Sequence, residues 1–193
     1  MDTYNNLIKR CFTTISVEEY VREYNNAELF LSLCEQCLQF GKRWCCPPFS
    51  FNPLNKISDF KYAHIFGAQI FFHPDAIEQS RIERNGEIIS RKAVEDFCAA
   101  EHSKLLEMRE KHAPAIAFGV GCSLCSQPCA REIGKACRHS SEMLHSLESF
   151  GFDISATASK LLGIELLWAA DGILPKYSTV VTALFSNDKI IEH

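Results

Sequence analysis

Eight cysteines gathered in two tight groups constrain this chain more than anything else in it. Cys34, Cys37, Cys45 and Cys46 form the first group, and Cys122, Cys125, Cys129 and Cys137 the second; Cys11 and Cys98 stand alone. A disulfide scaffold belongs to short chains in an oxidising compartment. This chain has 193 residues, enough to bury a core without covalent staples. Its start, MDTYNNLIKRCFTTIS, lacks the apolar segment of roughly 7–15 residues that marks a secretory signal. A cytoplasmic location is therefore expected. Ten thiols in that setting are metal ligands, reactive groups or small buried hydrophobes, and the grouping favours metal.

The second group reads C-x2-C-x3-C-x7-C. Four thiolates within so short a stretch make a complete ligand set for a [4Fe–4S] cluster. Gly119, Gly121 and Gly134 permit the turns that aim backbone N–H groups at cluster sulfurs. Zinc is the alternative, since four-cysteine sites are a usual structural form for it. Ser126 follows Cys125 where zinc knuckles place a small residue such as glycine, and this weighs toward iron–sulfur. His139, close behind Cys137, is a candidate for tuning such a cluster electrostatically or a cap for the next helix.

The first group opens with Cys34-Glu-Gln-Cys37 and continues with Trp44-Cys45-Cys46-Pro47-Pro48. A redox dithiol gains thiolate character at a helix N-terminus, whereas this pair is expected at a helix C-terminus, where the dipole opposes an anion. A bound cation removes that penalty. Adjacent side chains point apart, so one of Cys45 and Cys46 is expected to face the site. The proline after Cys46 restricts its backbone as at many ferredoxin ligands, which makes Cys46 the third ligand. The fourth place is open to Cys45, Cys11 or a histidine, or stays vacant for a small molecule or partner.

Charge and hydropathy exclude other classes. Lys and Arg number 20 against 24 Asp and Glu, a net −4, so nothing draws nucleic-acid phosphates. The longest apolar runs, 65–68 and 70–72, are far below the ~20 residues that span a bilayer, so no membrane partner is expected. No phosphate-binding glycine loop, dinucleotide fingerprint, nucleophile elbow or HExxH is present. Trp44 and Phe49 suit shielding of a site, His64 and His73 a structural role, and Cys98 a core thiol beside Phe97 and Ala99.

The pattern of elements is mixed. Ser16-Val-Glu-Glu19 is a capping box opening a helix to about Tyr24. Asn26 caps a second helix to about Gln36, with Leu29, Phe30 and Leu33 on one face. Residues 38–53, rich in Pro and Gly, form a loop. A central strand is expected over 62–72, and a short one over 115–120. A long helix from about Arg91 lies within 75–112, with a hairpin-like turn at Asn85-Gly86. Residues 140–150 are expected as a helix stopped by Gly151, 157–162 as a further helical stretch, and 164–168 with 179–185 as a closing strand pair. This implies one α+β domain over residues 1–193, a small mixed or antiparallel sheet packed with helices and bearing two cysteine-rich loops. If the 62–72 and 115–120 strands pair, both loops reach one rim.

The segment Cys34-x2-Cys37-x3-Gly41-Lys42-x-Trp44-x-Cys46-Pro47-Pro48 resembles the first signature of an uncharacterised family of predicted metal-binding proteins, found mostly in anaerobic bacteria and archaea. The Cys122–Cys129 loop, Gly134-Lys135-x-Cys137-Arg138-His139, Glu142-Met143-x2-Ser146-Leu147-Glu148-x2-Gly151 and Leu162-Gly163-Ile164-Glu165-Leu166-x-Trp168 continue the resemblance across about residues 30–186. In that family the cysteine before Pro-Pro is constant, which supports Cys46 over Cys45. Ser140 departs from the proline that usually follows Arg-His. The resemblance implies metal binding without a substrate or a reaction. The expectation is an iron–sulfur protein working in electron transfer with a redox partner protein, or as an accessory to an anaerobic redox enzyme. A zinc-stabilised interaction module and a metallocentre assembly protein are the alternatives.

Overall fold

A computed structural model describes residues 7–190. The chain enters through strand β1 (Leu7–Ser16), which turns directly into helix α1 (Val17–Tyr24). The Ser16 hydroxyl accepts from the Glu19 N–H at 3.2 Å, the capping contact that its sequence demands. Asn26 opens α2 (Ala27–Glu35) in the same way, accepting from the Leu29 N–H at 3.1 Å. Strand β2 (Tyr62–Phe71), helices α3 (Pro74–Glu83) and α4 (Gly86–Lys111), and strands β3 (Ala115–Gly119), β4 (His145–Ser146) and β5 (Tyr177–Ser186) complete the frame.

The five strands form one mixed sheet in the order β1-β2-β5-β3-β4. All neighbours are antiparallel except the β3–β4 pair. In register, Ile65 lies opposite Thr13 and Ala183, and Ala183 opposite Phe118. Alternation sends Ala63, Ile65, Val181, Ala183 and Phe185 to one face, where they bury with Tyr20, Phe150 and Phe152. The other face carries Ala68, Ile70, Val180 and Leu184, covered by Leu105, Phe97 and other residues of α4. A sheet buried on both faces explains why β2 reads as a nearly continuous apolar run. Among the described residues no helix is long and apolar enough to cross a membrane.

Several local expectations are corrected. Strand β2 is central, but β5 rather than β3 lies beside it. The edge strand β1 carries Lys9 and Arg10 in place of a clean apolar pattern and was not anticipated. Asn85-Gly86 is a joint between two helices. Arg84 takes φ 55°, and a Cβ on Gly86 would lie 2.4 Å from the Ile173 carbonyl carbon. Close backbone approach, not a hairpin, explains that glycine. Residues 140–150 contain turns, β4 and a short 3-10 turn instead of a helix. Pairing of His145 and Ser146 with Phe118 and Gly119 overrides the helical spacing of Leu144, Leu147 and Phe150. Residues 164–168 form no strand, so β5 pairs with β2 and β3 instead.

Candidate metal centre

Both cysteine groups sit at the end of the sheet where β3 and β4 finish. The first follows α2: Cys34 lies in its last turn, and the Cys37 N–H donates to the Cys34 carbonyl at 2.9 Å. The second begins three residues after Gly119 closes β3, through Gly121 at φ 123°, a conformation that L side chains rarely adopt. Cys34, Cys37, Cys45, Cys46 and Cys122 all line one cavity of about 280 Å³. Cys122, Cys125, Cys129 and Cys137 line a second of about 340 Å³, together with Cys45. Cys45 and Cys122 therefore stand in the wall between the two.

Cross-loop hydrogen bonds hold this arrangement. Arg131 Nη1 donates to the carbonyls of Arg43 (2.9 Å) and Cys46 (2.7 Å), and its Nη2 to Pro48 (2.5 Å). The same guanidinium lies 5.2 Å from the Trp44 ring, a cation–π contact. Arg43 Nη1 donates to the Cys122 carbonyl at 2.8 Å, and Trp44 Nε1 to the Lys135 carbonyl at 3.0 Å. His145 Nδ1 donates to the Cys45 carbonyl at 3.1 Å, which leaves its proton on Nδ1. Phe49 packs edge-on against the His145 ring, 5.0 Å between centroids, so it belongs to the packing beneath the first loop. Trp44 lines the second cavity, where it was expected to shield.

The thiols are not equivalent. Cys45 is 2 % exposed, and its Sγ is 3.8 Å from that of Cys46. The two adjacent side chains thus converge instead of pointing apart. Cys45 also faces the thiol and N–H of Cys122. The Cys122 thiol favours the Cys45 thiolate, but the Cys46 thiol and burial outweigh it and push the Cys45 pKa up to about 11. Hydrogen bonding to Cys45, then burial, raises Cys122. The hydrogen bond with Cys45 holds Cys46 below the ordinary thiol value, and Arg43 adds to that against the effect of burial. Burial raises Cys34. Backbone N–H donors reach sulfur at Cys37, from Gln39 at 3.5 Å, and at Cys122, from Leu124. Arg138 Nη1 lies 3.8 Å from Cys125 Sγ. N–H and guanidinium donors of this kind stabilise metal-bound thiolate.

Thiols dominate the donors of each cavity, beside Glu148 in the first and Glu132 and His139 in the second, and so soft a set suits iron–sulfur clusters or zinc and disfavours hard cations. Among the described residues, no three His, Cys, Asp or Glu side chains are drawn together tightly enough to hold one ion. The cavities therefore bring the right donors to the same place without closing them on a point. The remaining cysteines lie elsewhere. Cys11 packs on the sheet core, its thiol 3.8 Å from the Gly67 carbonyl. Cys98 packs beside Ala68 and Val180, and burial pushes its pKa up to about 11. His139 lines the second cavity, with Nδ1 3.7 Å from Glu142. His64 is buried in the sheet and His73 caps α3. Arg131 and His145 have no signature in the sequence, because each acts on backbone carbonyls brought close only by the fold.

The family model for predicted metal-binding proteins (DUF2284) matches residues 15–184. No curated protein and no solved structure matches the chain.

Proposed function

The chain belongs to this family of predicted metal-binding proteins, and on that premise we propose that it is an iron–sulfur protein. It carries a [4Fe–4S] cluster on Cys122, Cys125, Cys129 and Cys137 and a second metal on Cys34, Cys37 and Cys46. It acts in electron transfer, or as an accessory to an anaerobic redox enzyme, with a redox partner protein. The observation that supports this reading is the shared wall of Cys45 and Cys122 between two thiol-lined cavities. Two metal sites so placed are close enough to exchange electrons, whereas a pair of structural zinc sites has no need of adjacency. Arg138 beside Cys125 and Arg43 against both cavities offset the negative charge of a thiolate-bound cluster and favour its reduced form.

Anaerobic purification followed by iron, zinc and acid-labile sulfide analysis, with electron paramagnetic resonance of the reduced protein, tests the proposal. The expected product is brown, with iron and sulfide in near-equal amounts. A colourless, air-stable protein with stoichiometric zinc overturns the redox reading in favour of a zinc-stabilised interaction module. A metallocentre assembly role has one observation in its favour, the exposure of Cys37 at the rim of the first cavity. In that case, metal in the first site transfers to an acceptor protein at a rate that Cys37→Ser abolishes.

A further inference from the structure

We infer that Cys45 is the fourth thiolate of the first site, so that the eight grouped cysteines divide into Cys34, Cys37, Cys45, Cys46 and Cys122, Cys125, Cys129, Cys137. The inference rests on the two-site reading above and assigns the ligand that reading leaves open.

Three observations carry it. The first is where the buried cysteine lies. Cys11 and Cys98 pack against the apolar clusters of the sheet, as small core hydrophobes do. Cys45 is more deeply buried than either, yet it belongs to none of those clusters; its thiol faces the sulfurs of Cys46 and Cys122. The second is spacing. Two thiolates on one tetrahedral ion, each about 2.3 Å from the metal, stand about 3.8 Å apart. Cys45 and Cys46 Sγ are 3.8 Å apart. The pair is at the separation that a single thiophilic ion, rather than a cluster, asks of it. The third is support. The His145 ring donates to the Cys45 carbonyl, and Arg131 to the carbonyls on either side, at Arg43 and Cys46. These bonds fix the backbone of the pair, and Cys34 and the exposed Cys37 line the same cavity.

Two rival donors share the cavity. Cys122 is one, but giving it to the first site leaves the second with three thiols. The Glu148 carboxyl is the other; its hard oxygen is a poorer match than a fourth thiolate for a thiophilic ion already held by soft sulfur.

The test uses the full-length, reduced, metal-free chain loaded with cadmium ion alone and observed by 113Cd nuclear magnetic resonance, whose shift reports the number of thiolate ligands. The wild type is expected to show two resonances, both in the four-thiolate range. Cys45→Ser should move one of them to the three-thiolate range and weaken that site for cadmium at least tenfold, leaving the other in place. Glu148→Gln should move neither. A wild-type resonance in the three-thiolate range overturns the inference without any variant, so it stands or falls even if Cys45→Ser does not fold. A Cys45→Ser spectrum with both resonances unmoved, or both displaced, also overturns it. Absence of any bound cadmium in the wild type removes the two-site reading itself.

Discussion

Arg43 Nη1 donates a 2.8 Å hydrogen bond to the Cys122 carbonyl, joining a residue two places ahead of Cys45 to the first residue of the second cysteine set. That bond and the Arg131 fork run in opposite directions across the same gap. Arg43 reaches from the first loop to the second, and Arg131 from the second to the first. The two loops are thus tied in both directions by cations that bond to backbone carbonyls, with the Trp44 ring packed against one of them.

Arg131→Met should loosen both loops. A hydrogen bond to a charged donor contributes roughly 1.5–3 kcal/mol, and partial exposure here argues for a net loss of about 2 kcal/mol. Urea unfolding of the metal-free chain measures it. Arg131→Lys should recover little, since one ammonium cannot reproduce the planar fork. Full recovery by lysine would show that charge alone matters.

The buried Tyr20 hydroxyl bonds to Thr157 Oγ1 at 3.0 Å. Thr157 spends its own proton on the Asp153 carbonyl, at 2.6 Å, so Tyr20 is the donor. Tyr20→Phe keeps the stacking of this ring on Phe152, 4.5 Å between centroids, but leaves the threonine oxygen without its donor. The expected cost is about 1–2 kcal/mol in unfolding free energy. A neutral substitution would mean that water replaces the phenol.

Gly86→Ala sets two effects against each other. Alanine is better in a helix by about 1 kcal/mol. Its Cβ, however, would sit 2.4–2.7 Å from backbone atoms of residues 172–174. Backbone cannot step aside as a flexible side chain can, and overpacking costs about 1–3 kcal/mol. The variant should melt lower than wild type. A higher melting temperature would show that the 172–174 segment yields freely.

Acid should destabilise the fold through two histidines. Burial lowers the pKa of His64 and of His145 below the ordinary value. Between the lowered folded value and about 6.5 in the unfolded chain, the unfolded state binds more protons, so stability rises with pH. The contribution is fully present above about pH 6.5 and is lost as pH falls toward the folded values. His64 accepts from Thr14 at Nδ1 and donates from Nε2 to the Asp188 carbonyl. Urea midpoints between about pH 5 and 8 should decline toward acid, and His64→Gln should flatten part of that slope. An unchanged slope would assign the effect to His145.

Much of the site was legible because ligand chemistry is local. The cysteine spacings, the capping residues Ser16 and Asn26 and the turn at Gly121 depend on residues near in sequence. What escaped is non-local. His145 and Ser146 become a strand only because β3 ends beside them, and nothing in Leu144–Phe150 announces that neighbour. Asn85-Gly86 has the composition of a hairpin, but its glycine is required by a segment almost ninety residues onward. Adjacent side chains point apart in regular extended backbone, whereas Cys45 and Cys46 lie in a run of turns that lets their sulfurs converge.

The sheet order has a consequence for the timing of assembly. Strand β5, the last in the chain, lies between β2, which follows the first cysteine loop, and β3, which leads into the second. During synthesis both loops emerge while the strand that aligns their supports is still to come. The nascent chain therefore presents two separate cysteine-rich peptides, each open to oxidation or to the wrong ion. Alignment of the supports of the two loops waits for residues 177–186 to insert between β2 and β3.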